Sequence, residues 1–263
     1  MAGAFQERYR PGDSRIHRLD PRIKTVTALL LILGIVLTPE HAWPAYPLIW
    51  ALLGSMAEIG GIRAWRLGRM AALVLPFTLA AVALPFTMPG RTVFEILGLA
   101  ASDTGLARFG AVVLKSWLSA QAALLLTTTT PFTDLLWALS SLRVPPTLVT
   151  ILGFTYRYLH TLKEEAERLI RARDSRSGTL PGQKSGGSLW WRAQVAGAMI
   201  GNLFIRSYER SERVYLAMRA RGYTGEMKGF SRAAPTINAM LSGALPVLVL
   251  VLIEVIAVIL WSS

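Results

Sequence analysis

Two arginines occupy matching places on two long helical patterns. Ala172-Arg173-Asp174 closes a segment predicted helical over about 147–173, and Ala220-Arg221-Gly222 closes another over about 189–221. A guanidinium at a helix tip has two readings. It complements the negative end of the helix dipole, or it makes a bidentate contact with a carboxylate or carbonyl on a partner. The repetition of one motif on two helices favours docking. Recognition, not bond-making, is the chemistry these residues offer.

Bond-making chemistry finds little footing elsewhere. The three histidines, His17, His41 and His160, are widely separated, and none sits in a His-Glu-x-x-His helix, so no metal site is expected. Cysteine is absent, which removes disulfide, zinc-thiolate and iron–sulfur chemistry. Residues 178–185 nearly match a phosphate-binding loop, but Gln183 replaces the glycine before Lys184. The stretch also follows a charged helix instead of a buried strand, so no backbone cradle is expected. No cofactor and no catalytic group is therefore assigned, and any use of ATP must come from a separate ATPase. Glu254 lies inside an apolar run. Such a residue is functional by default, and two readings stay open. It pairs with a polar residue of the bundle or of another subunit, or it is protonated or faces a hydrated crevice.

The elements that position these residues belong to a membrane protein. Of 263 residues 52% are hydrophobic, and the mean hydropathy is +0.42. Charged residues make up 17%, against roughly 25% in an ordinary soluble domain. The net charge is nonetheless +12. Because the basic residues are interleaved with long apolar runs, the excess reads as cytoplasmic loop charge and not as a nucleic-acid surface. The first apolar run follows an Arg-rich stretch and leads into Thr38-Pro39-Glu40-His41 rather than a cleavage site, so it reads as an uncleaved span.

Five apolar runs can be read along the chain: 25–37, 42–59, 70–88, 109–130 and 237–261. Asp20-Pro21 marks the first helix start. That run is short and borrows the stems of Arg22 and Lys24 by snorkelling. Residues 60–69 read as a basic loop. Pro76 and Pro85 predict kinks in the third run, and Lys115 snorkels near one end of the fourth. Residues 131–235 hold sixteen of the 28 lysines and arginines. With five spans, the basic N-terminus, the 63–69 loop and the 131–236 region share the cytoplasmic side. An even number of spans requires the 146–162 segment to insert, which its apolar start, 148–154, leaves open. The organisation read from this is a cytoplasmic segment 1–24, four spans over 25–130, a cytoplasmic region 131–236 and a last span over 237–263.

Within that region, 131–146 predicts a short amphipathic helix with a stripe of Leu135, Leu136, Leu139 and Leu142. The two long helices follow. Glu164–Arg168, Glu167–Arg171 and Glu209–Arg213 stand at the i,i+4 spacing that supports helices. Ala193, Gly197 and Gly201 form a small-residue ridge suited to close helix crossing. Gly222 is a stop signal. The fold class is thus an all-α membrane protein with about five transmembrane helices and two long amphipathic cytoplasmic helices.

These segments resemble those of the T component of energy-coupling factor transporters, in its cobalt-transport branch, CbiQ. The resemblance rests on His17-Arg18-Leu19-Asp20-Pro21-Arg22-Ile23-Lys24 before the first span. It also rests on Phe154-Thr155-Tyr156-Arg157-Tyr158-Leu159 followed by Glu164-Glu165-Ala166-Glu167-Arg168, and on the two Ala-Arg motifs. One departure is Asp174, where a small residue is common. The resemblance implies a non-catalytic subunit of the bacterial inner membrane, with a cytoplasmic N-terminus. It implies two ABC-type ATPase copies docked at Ala172–Asp174 and Ala220–Gly222, with Arg173 and Arg221 as main contacts. It further implies a substrate-binding S component with a small accessory subunit, and membrane lipid around the spans. Nickel instead of cobalt stays open as the transported ion. Two other classes compete: an enzyme acting on lipid phosphates with Asp174, Glu164 or Glu165 as base, and an adaptor recruiting anionic lipid through its basic face.

Overall fold

The computed structural model describes residues 9–96, 99–176, 188–224 and 236–261. Arg8, the 178–185 pattern and Ser262-Ser263 lie outside them. The chain divides into two units. The first holds α1 (Pro21–Leu37), α2 (Ala45–Ile59), α3 (Ala64–Ala71), the short helices α4 (Leu75–Thr78) and α5 (Leu84–Thr87), a hairpin of β1 (Thr92–Ile96) and β2 (Leu99–Ser102), α6 (Asp103–Thr129), α7 (Phe132–Ser141) and α10 (Ile237–Trp261). The second holds α8 (Pro146–Arg176) and α9 (Leu189–Ala220).

Local chemistry explains most of these bounds. The Asp20 carboxylate accepts the Arg22 backbone N–H at 2.8 Å, and Pro21 opens α1 where a missing N–H costs nothing. The expected basic loop over 60–69 is instead largely helix α3. Its first N–H, on Ala64, donates to the Glu58 carboxylate at 2.9 Å, and Leu67 and Ala71 bury one face while Arg66 and Arg69 stay outside it. The third apolar run is not one helix. Pro76 and Pro85 each remove a ladder hydrogen bond and crowd the preceding turn, and 3₁₀ segments, Ala72–Val74 and Leu79–Ala83, stand before both. Beyond them the β1–β2 hairpin pairs antiparallel, from Thr92 opposite Ser102 to Ile96 opposite Leu99, where the sequence read only as a mixed loop.

Contacts between helix ends fix the order of the bundle. Thr27 donates to the Gly243 carbonyl at 3.0 Å, and Thr38 donates to the Glu254 carboxylate at 3.2 Å, so α1 and α10 run parallel. Lys24 donates to the Thr129 carbonyl at 3.0 Å and Lys115 to the Val36 carbonyl at 3.0 Å, so α6 runs antiparallel to both. A β-carbon on Gly243 would collide with Ile23, which is why glycine stands at this crossing. The core between α1, α2, α6 and α10 is made by Leu31, Ile35, Ile49, Leu53, Leu118 and Leu250.

Two described helices are long and apolar enough to cross a membrane, α6 and α10 over Ile237–Ile259. A third candidate is the pair Ala45–Ile59 and Ala64–Thr78, bent by 117°. With 17 and 15 residues, α1 and α2 are shorter than the roughly 20 of a full perpendicular span.

Candidate functional site

The two long helices carry the arginine motifs, and they meet through one carboxylate. Glu165 of α8 accepts from Arg206 at 3.3 Å and from Arg210 at 3.1 Å, both on α9. Arg206 and Arg210 are four residues apart and so share a face. The Glu165 side chain is only 17% exposed, whereas Arg206 is 58% exposed. The pairs read from sequence, Glu164–Arg168 at 3.7 Å, Glu167–Arg171 at 3.7 Å and Glu209–Arg213 at 3.9 Å, form on open surface. Each contributes a few tenths of a kcal/mol at most (~0.3–0.5). Among the described residues the pin at Glu165 is the ion-pair contact that joins the helices, and sequence spacing within either helix does not reveal it.

Next to the pin lies an apolar groove of about 480 Å³. The N-terminal half of α8 supplies Phe154, Tyr158 and Leu162, and the C-terminal half of α9 supplies Val214, Tyr215 and Met218. That pairing of opposite halves makes the helices antiparallel in sense. Arg173 stands eight residues past Glu165, roughly 12 Å along α8, and Arg221 eleven past Arg210, about 16 Å along α9. The two motifs therefore sit at opposite ends of the pair.

The ends themselves differ. Helix α8 continues to Arg176, so Ala172–Asp174 lies within its last turns, and Arg173 pairs with Asp174 at 3.0 Å while staying 44% exposed. Helix α9 stops at Ala220, with Arg221 as its cap. Gly222 has φ +81°, the Gly222 N–H donates to the Arg219 carbonyl at 3.0 Å, and the Tyr223 N–H donates to the Met218 carbonyl at 3.0 Å. This is a Schellman ending, which needs a residue free to adopt left-handed backbone. Arg221, immediately before Gly222, is exposed.

The small-residue ridge lies elsewhere on α9. A β-carbon on Gly197 or Gly201 would meet nothing within 4 Å, and Ala193 is exposed. Close approach at this ridge is not part of the α8–α9 contact. No residue of α8 or α9 is buried, while Trp190, Ile200, Phe204 and Tyr208 are exposed. Two amphipathic helices without a core present apolar faces to something outside themselves.

The remaining polar residues have structural tasks. His17 donates through Nε2 to the Arg10 carbonyl at 2.9 Å, and its Nδ1 accepts from Ser14 at 2.7 Å. Lys24 is buried and also donates to the His17 carbonyl at 3.1 Å. Its ammonium thus closes the carbonyl end of α6, where a cation is favoured. Snorkelling had been expected of it. Glu254 finds its partner in Thr38, the first of its two readings. Among the described residues no group of three His, Asp or Glu side chains is placed to hold a metal. The carboxylates considered as bases, Glu164, Glu165 and Asp174, are all engaged by arginines.

Fold and site together define a class: a helical membrane protein that carries a pair of amphipathic helices with exposed arginines at their ends. The chain belongs to the CbiQ family of cobalt transport proteins, which it matches over residues 12–230. It is 30% identical over 241 residues to the energy-coupling factor transporter transmembrane protein EcfT of Heliobacterium modesticaldum, covering 87% of each chain. It is 30% identical over 235 residues to EcfT of Listeria innocua, covering 83% of this chain and 84% of that one. It is 27% identical over 226 residues to EcfT of Bacillus selenitireducens, covering 82% of each. These relatives are named as transmembrane components of a transporter, not as enzymes, and this chain is a non-catalytic transporter subunit of the same kind.

Proposed function

We propose that this chain is the coupling subunit of a metal importer, carrying the motion of two cytosolic ABC-type ATPases to a separate substrate-binding membrane subunit. The observation that supports this reading best is the position of Arg173 and Arg221 at opposite ends of a helix pair pinned at Glu165. Each guanidinium is a bidentate donor for a carboxylate or a carbonyl-lined groove. Two such tips, spaced apart on one device, suit two copies of one partner. Closure of the ATPases would then move both ends of the pair at once.

In this reading the bundle sits in the bacterial inner membrane with its N-terminus in the cytoplasm and five crossings, the bilayer thinning locally around the shorter α1 and α2. Arg10 and Lys24 gather at the α6 end from which the chain leaves towards α8. A positive cluster at that end favours the cytoplasmic side. The ridge of Ala193, Gly197 and Gly201 receives a helix of the substrate-binding subunit. Cobalt is the ion in this proposal and nickel the alternative, since selection rests with that other subunit.

The test is co-expression with the ATPase and the substrate-binding subunit. Arg173→Glu together with Arg221→Glu abolishes ATPase co-purification while the variant still inserts and purifies as wild type does. A double variant that assembles and imports metal normally overturns the assignment. A lipid-phosphate enzyme would instead turn over lipid in the absence of any ATPase.

A further inference from the structure

On the outer face of the first unit, α1 and α10 leave an open apolar groove of about 390 Å³ beside their crossing at Gly243. Ile23, Leu30, Met240, Ala244 and Leu248 line it. Arg22 stands at the N-terminal end of α1 and lines the same groove. Its guanidinium lies 4.1 Å from the centre of the Trp137 ring on α7, a cation–π contact. Its Nε is buried without a hydrogen-bond partner, and no carboxylate pairs with it among the described residues. Asp20 and Asp134 line a different, polar cavity around Lys24, and no acidic residue lines the groove. A cation half removed from water with no carboxylate in ion-pair contact is unfavourable, and an anion at this spot relieves the cost.

We infer that this groove holds one phospholipid with an anionic headgroup, its phosphate on the Arg22 guanidinium and an acyl chain along α1 and α10. Guanidinium matches phosphate through two parallel hydrogen bonds. Trp137 holds the planar group at the level where indole rings favour the membrane interface. The apolar side chains below it are those of two helices in contact with the bilayer. The inference rests on the insertion of α1 and α10, not on the transport role.

The test uses the full chain in nanodiscs of phosphatidylglycerol, phosphatidylcholine or an equal mixture, with retained lipid read by native mass spectrometry. Wild type keeps phosphatidylglycerol in preference to phosphatidylcholine. Arg22→Gln lowers that retention by about tenfold to a hundredfold, the worth of lost charge-assisted bonds, and Arg22→Lys falls between. Ala244→Trp fills the groove, leaves the cation in place and also loses the lipid. The proposal is overturned if wild type shows no preference for the anionic lipid, or if both substitutions keep the wild-type preference. It is overturned equally if a photo-cross-linker at position 244 captures a partner subunit's helix and no lipid.

Discussion

Removing the charge of Glu165 tests the coupling device at its pin. In Glu165→Gln the side chain keeps its shape but loses the carboxylate that holds Arg206 at 3.3 Å and Arg210 at 3.1 Å. A hydrogen bond between charged groups is worth about 1.5–3 kcal/mol when buried, and an exposed pair about 0–1 kcal/mol. Arg206, 58% exposed, belongs near the lower range, and Arg210, 36% exposed against a Glu165 that is 17% exposed, lies between the two. The pin therefore contributes about 2 kcal/mol, so its loss raises the population of separated helices roughly thirtyfold. Neither helix has a buried residue to compensate. Because the chain has no cysteine, spin labels on Ala172→Cys and Ala220→Cys report the spacing of the two tips alone. The expected result in Glu165→Gln is a broadened distance distribution, with metal uptake falling while ATPase binding persists. Adding Arg210→Gln to Glu165→Gln produces no further broadening, since the two share one interaction. An unchanged distribution, or effects of the two substitutions that simply add, would refute the reasoning.

Two further outcomes follow from the helix ends. Gly222→Val forces a β-branched residue into left-handed backbone at φ +81°. It destabilises the end of α9 by about 1–2 kcal/mol, and ATPase binding titrations show weaker affinity with normal membrane insertion. Lys24→Met leaves the carbonyls of His17 and Thr129 without their donor. Thermal unfolding in detergent moves down by the equivalent of about 1–3 kcal/mol, whereas Lys115→Met, at an exposed contact with Val36, changes it little.

What sequence could reveal was set by range. Features fixed within a few residues were legible: the Asp20-Pro21 start, the Gly222 stop, the i,i+4 pairs and the last helix from Ile237. Composition alone placed the protein in a membrane. The Glu165 pin joins residues 41 and 45 positions apart, and no periodicity within α8 announces it. Lys24 read as a snorkelling cation because its acceptor, the Thr129 carbonyl, lies 105 positions away. The third apolar run read as a kinked span, but two prolines nine residues apart break it into short α and 3₁₀ pieces. The residues 60–69 read as loop because Arg63, Arg66 and Arg69 outweighed the buried face of Leu67 and Ala71. The Ala193–Gly197–Gly201 ridge was visible as a pattern, but it lies open in the helix pair, with nothing within 4 Å of a β-carbon on either glycine.

The central claim is that both arginine tips dock on the ATPases, and site-directed photo-cross-linking tests it most directly. Single Ala172→Cys and Ala220→Cys variants, labelled with a benzophenone maleimide and assembled with the ATPase and substrate-binding subunits, carry the probe beside Arg173 and Arg221. The account predicts an adduct with an ATPase subunit from each position, lost when the neighbouring arginine is changed to glutamate. Adducts with neither position, in a complex that still imports metal, would contradict it.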